Sequence, residues 1–195
     1  NFNVPHTGTN SDNGNFFGPT RGNLDVTPTA TNPNPYRIRQ SLYILNLLNG
    51  TVFSGVVDPR MTLMLQPSTD TQYRGGVNGQ VVNIAGATGI PPLYGKYIFV
   101  NNAPLPLFTY AEMQFIKAEA AFKKGDLTMA LSAYHNAIRA HMDYTTVSAA
   151  NRDAYMASAA VAQTTGALTL SHIMLQKYVA MWGHGVLETW VDIRR

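Results

Sequence analysis

From Tyr110 to His141, small and aromatic side chains recur at helical spacing on both sides of one glycine. This pattern limits the fold more than any other part of the chain. Ala111, Phe115, Ala118 and Phe122 share one face of a helix expected over 110–124. Gly125-Asp126 breaks it, and a second helix is expected over 128–141 with Ala130, Tyr134, Ala137 and Ile138 turned inward. Small residues let two helices approach closely, while Tyr134 fills the groove between them. All three glutamates, Glu112, Glu119 and Glu188, lie beyond residue 110, where the helical spacing is concentrated. Further helices are expected over 168–182 and 186–194, the last with Leu187, Trp190 and Val191 on its apolar side. Another is expected near 149–160.

The hairpin at 111–141 fits the tetratricopeptide template, with Gly125 as the turn glycine and Ala130, Tyr134 and Ala137 at its small, aromatic and small positions. Met142 replaces the usual terminal proline, and Gln114 takes the aromatic position of the first helix. One repeat cannot bury its own faces, so the hairpin must pack on other chain. Residues 1–108 read differently, as loop-rich chain with one helix. Eight asparagines and six threonines fall within residues 1–34, against three charges, which favours turns held by local side-chain bonds. Phe16 and Phe17 stand in that polar setting, where they either plug a core or form a contact surface. Ile38, Leu42, Leu45 and Leu48 predict a helix over 35–48, stopped by Asn49-Gly50. Short strands are expected near 80–84 and 97–100, between Gly75-Gly76, Asn78-Gly79 and Pro91-Pro92.

Composition excludes several classes of function. Charged residues make up 13% against 45% hydrophobic, a balance that supports a packed core and not disorder. The net charge is +3, but the basic residues are scattered, so no patch for nucleic acid forms. Cysteine is absent, which excludes disulfides, thiolate metal sites and cysteine nucleophiles. No apolar run approaches the roughly 18 residues of a membrane helix. Gly89 to Lys96 is a poor phosphate loop, because two prolines stiffen it and Tyr97 replaces the hydroxyl residue. His184 and Glu188 could share a helical face, yet two ligands do not make a zinc site. Glu112 and Glu119 lie seven apart and share one helix side, which leaves a paired-carboxylate hydrolase open, but apolar neighbours favour a structural role. No cofactor or metal is called for.

Asp58-Pro59-Arg60-Met61 is the most distinctive short motif, an extended turn whose acid and base can pair. With Tyr73-Arg74-Gly75-Gly76, the stretch Pro106 to Asp126, Gln176-Lys-Tyr-Val and Leu187-Glu-Thr-Trp190-Val-Asp-Ile-Arg-Arg195, it resembles the SusD/RagB family. These segments follow the family's order over residues 35–195. The resemblance implies a mainly α fold: tetratricopeptide-like hairpins in an α-α superhelical scaffold, with long irregular segments making the ligand face. It implies that residues 1–195 are part of a single domain, a C-terminal-side portion whose lipid anchor and upstream repeats lie elsewhere. It also implies a non-catalytic lipoprotein of the bacterial outer-membrane surface, carrying glycan or another nutrient to a SusC-like TonB-dependent transporter. The rival classes are a protein-interaction module and, behind it, a glycoside hydrolase using Glu112 and Glu119. Sugar faces stack on aromatic rings with polar groups around them. Tyr73, Arg74, Tyr94, Tyr97, Phe16 and Phe17 are therefore the candidate ligand residues, and Asp58, Arg60, Glu112, Glu119, Gly125 and Trp190 the structural ones.

Overall fold

The computed structural model describes residues 1–6, 15, 22–23, 27–31, 38–93 and 95–194. Phe16, Phe17 and Tyr94 lie outside the described residues. The fold is mainly α, as the spacing predicts. Among the described residues the helices are α1 (Leu42–Leu48), α2 (Met61–Met64), α3 (Tyr110–Lys124), α4 (Leu127–Tyr144), α5 (Ala149–Met156), α6 (Leu170–Met181) and α7 (Val186–Ile193). Strands are short: β1 (Phe2–Val4), β2 (Gly22–Asn23), β3 (Thr27–Thr31) and β4 (Leu105–Phe108). β2 pairs antiparallel with β3, and an irregularity interrupts the register. The chain divides into two compact units, one of residues 1–2, 47–60 and 107–195, the other of residues 3–46 and 61–106.

The first unit is the helical one. Thr109 caps α3 by accepting from the Glu112 N–H at 3.0 Å. At the other end Gly125 takes the left-handed conformation, φ +87°, and the Asp126 N–H reaches back to the Ala121 carbonyl. Asp126 then caps α4 through the Met129 N–H. One glycine and one aspartate thus end the first helix and start the second. α3 packs on α4 and α6, and α4 also meets α5 and α6. Phe115, Ala118, Ala130, Tyr134, Ala137 and Ile138 are all fully buried. Phe122 is only half-buried. His135 donates from Nε2 to the Ala162 carbonyl at 2.7 Å, tying α4 to the chain after α5.

The second unit is held by side chains more than by sheet. Gln40 is fully buried, and its amide donates to the Gln66 and Arg74 carbonyls at 2.9 and 2.7 Å. Its oxygen accepts the Gln66 N–H at 3.0 Å. Ser41 bridges Gly76, and a Cβ at Gly75 would collide with the Ser41–Leu42 backbone. The Tyr-Arg-Gly-Gly motif is therefore a close approach of two backbones. Buried Asn15 donates to the Ile98 and Val100 carbonyls at 2.7 and 2.6 Å.

Three expectations need correction. The helix expected from residue 35 begins at Leu42, because Arg39 and Ser41 are already committed to bridges with Pro92 and Gly76. Residues 80–84 form no strand, since Val81 and Ile84 face solvent and nothing rewards pairing there. Tyr97–Phe99 is a 3-10 turn, not a strand. The four-residue α2 had no periodic signal long enough to read.

Candidate functional site

Asp58 and Arg60 meet within their own turn, in the helical unit. Arg60 donates from Nε to Asp58 Oδ1 at 2.9 Å and from Nη2 to Oδ2 at 2.5 Å. Its other donors reach residues far along the chain. Nη1 donates to His141 Nδ1 at 3.0 Å, and Nη2 to Gln176 Oε1 at 2.6 Å. Gln176 passes a hydrogen bond on to the Tyr155 hydroxyl at 3.1 Å. Burial first, and the Arg60 charge second, push the His141 pKa well below the ordinary imidazole value. With Nδ1 accepting, the ring is neutral and carries its proton on Nε2. All five side chains are buried, so no ligand reaches them. The cluster joins α4, α5 and α6 to the Asp-Pro-Arg turn.

The two glutamates of α3 part ways. Both are buried, at 7% and 5% exposed. Glu119 pairs with Lys123 one turn on, at 2.8 Å. Glu112 instead lines a groove of about 350 Å³ with Ile116, Lys177, Leu187, Glu188 and Asp192. Burial raises its pKa, the Thr109 N–H opposes that, and Glu188 adds to it. Lys177 is buried and pairs with Asp192 at 2.6 Å, a link between α6 and α7 that no motif announced. His184 does not share a helix face with Glu188, because α7 begins at Val186 and His184 sits in the glycine-flanked turn before it. Both of its ring nitrogens are buried without a hydrogen-bond partner, and burial brings its pKa to about 4. Trp190 is 55% exposed, with the Arg194 guanidinium 4.4 Å from its ring centre.

The described ligand candidates, Tyr73, Arg74 and Tyr97, lie in the irregular unit. Tyr73 and Tyr97 are half-buried. Arg74 grips Asp70 with both ends of its fork, at 2.6 and 2.7 Å. That pair lowers the Asp70 pKa and leaves both groups about one-third exposed. Tyr97 holds φ at +50°, a conformation that side chains other than glycine rarely adopt. It follows Gly95, itself at φ +87°, and Lys96, whose Nζ donates to the Thr62 carbonyl at 2.6 Å. The buried anchors here, Gln40 and Asn15, carry no sequence signal beyond their amides.

A model of the SusD-like family, described as starch-binding and associating with the outer membrane, matches residues 4–195. No curated protein matches the chain.

Proposed function

The chain belongs to the SusD-like family, and from that premise we propose that it binds a neutral glycan at the outer membrane without turning it over. One observation carries the reading: the family match covers residues 4–195. It also supports taking these residues as part of one SusD-like domain. The proposed ligand face is the irregular unit, with Tyr73, Arg74 and Tyr97 and, outside the described residues, Phe16, Phe17 and Tyr94. Three features support that choice. The tyrosines are half-buried, so their rings are held while part of each stays accessible. The Asp70 pair holds Arg74 in one geometry, which lowers the entropy lost on binding. Tyr97 carries backbone strain of the kind that clusters at ligand sites. The glycan is then passed to a SusC-like TonB-dependent transporter at the cell surface.

Isothermal titration with a starch-derived oligosaccharide tests this. Saturable binding with the sugar recovered intact is expected. Absence of binding, or cleavage of the sugar, overturns it.

A further inference from the structure

Asn-Gly pairs occur in the sequence at Asn13, Asn49 and Asn78, and the structure holds the last two very differently. Asn13-Gly14 lies outside the described residues. Asn49 follows α1, and its Oδ1 accepts the Thr51 N–H at 3.0 Å. Gly50 is buried, and its carbonyl accepts the Gly55 N–H at 2.9 Å. A Cβ on Gly50 would lie 2.7 Å from the Gly55 carbonyl carbon, so this pair is bonded and packed in place. Asn78 and Gly79 instead sit at the tip of an exposed turn. One backbone bond closes that turn, from the Gln80 N–H to the Val77 carbonyl at 3.2 Å. Neither Asn78 nor Gly79 makes a hydrogen bond among the described residues. Gly79 holds φ at +78°, and a Cβ there would meet nothing within 4 Å. Asn83, in the same loop, is also exposed but is tied down. Its Oδ1 accepts the Ala85 N–H at 3.0 Å, its amide donates to Thr88 Oγ1 at 3.4 Å, and the branched Ile84 follows it.

We propose that Asn78-Gly79 is a self-modification site, at which the Asn78 amide becomes a carboxylate without an enzyme. The Gly79 backbone nitrogen gives up its proton and attacks the Asn78 Cγ. The new N–Cγ bond closes a succinimide ring, while the Cγ–Nδ2 bond breaks and Nδ2 leaves as ammonia with that proton. Water then opens the ring at either carbonyl, leaving aspartate or isoaspartate. Nothing is oxidised or reduced. Glycine permits the approach because it has no Cβ to crowd the attacking nitrogen. Ring closure requires the turn to open, and among the described residues only the Gln80 bond opposes that. Rotation within the turn and a water molecule suffice, so the step does not depend on an open protein face. Residues 75–95 contain no charged side chain, so the product carries the first charge in that stretch. This inference is independent of glycan binding.

The test incubates the full natural protein at neutral and mildly alkaline pH and then digests it with trypsin. Cleavage after Arg74 and Lys96 releases the loop as one peptide, and fragmentation in the mass spectrometer assigns each converted amide. In the folded protein Asn78 should convert at least about tenfold faster than Asn49 or Asn83, the factor set by about 1.4 kcal/mol of extra opening cost. Conversion should speed up at the higher pH, because the attacking nitrogen must lose its proton. In urea the gap between Asn78 and Asn49, both followed by glycine, should close. Asn78→Gln alters an exposed side chain without hydrogen bonds and would have to close a larger ring, so its loop peptide should stay unconverted. Three results overturn the proposal. The first is an Asn78 amide that stays intact in the natural protein, as chain packed over this turn from the rest of the domain would produce. The others are equal rates at Asn78 and Asn49 in the folded protein, or a difference that persists unchanged in urea.

Discussion

Arg60 is fully buried with its charge intact, and the stability of that arrangement depends on its acceptors. Removing one partner of a buried pair leaves the other charge uncompensated, which costs about 3–5 kcal/mol. Asp58→Asn should therefore lower the urea midpoint by that measure, and a loss under about 1 kcal/mol would contradict the account. Arg60→Lys should also be strongly destabilising, because an ammonium cannot fork to Asp58 while reaching His141 and Gln176. His184 gives a pH prediction. Its folded pKa, about 4, lies below its ordinary 6.5, so the unfolded chain binds the proton more readily. The stability it contributes is complete above pH 6.5 and is lost as pH falls toward 4, by roughly 3 kcal/mol in all. Nearby Glu188 partly opposes that loss by favouring the charged ring. His184→Leu should flatten the fall of the urea midpoint over this range, and an unchanged slope would show that His184 does not set it. At this scale the sequence is legible only locally. Asp58 and Arg60 are two residues apart and announce their own pairing. His141 and Gln176 lie 81 and 116 residues beyond Arg60, and no spacing rule connects them.

Among the elements, legibility follows periodicity. α3 runs over the expected 110–124, and α4, α6 and α7 end within three residues of expectation. Each has apolar residues at helical spacing, and Gly125 and Gly183 stop α3 and α6. α1 is shorter than its pattern, because Gln40 and Ser41 serve the ladder to Gly76, and a tertiary bond overrides helical spacing there. Two substitutions probe the hairpin. A Cβ at Gly125 meets no atom within 4 Å, so Gly125→Ala isolates the conformational cost of a positive φ, about 1–2 kcal/mol. Gly125→Asn should cost less. Ala137 is fully buried, and Ala137→Leu should overpack its site at about 1–3 kcal/mol. Thermal or urea unfolding measures both, and no change in either variant would mean that α3 and α4 are not packed as described.

For the whole molecule the central claim is glycan binding through aromatic stacking and hydrogen bonds. The helical unit was legible because helices advertise their burial. The proposed ligand face was legible only as a list of aromatic and amide residues, since irregular chain has no period. Gln40 and Asn15, which hold that unit together, look in the sequence like any other polar residues. The net charge of +3 has no part in holding a neutral sugar, because salt screens charge pairs and not neutral contacts. The most direct measurement is titration of a neutral starch-derived oligosaccharide at low and moderate salt, with wild type, Tyr73→Ala, Tyr97→Ala and Lys123→Gln. The account predicts a Kd unmoved by salt or by Lys123→Gln, and weaker by about fivefold when either ring is lost, from stacking worth about 1 kcal/mol. A Kd that rises steeply with salt, or that ignores both tyrosines, would contradict it.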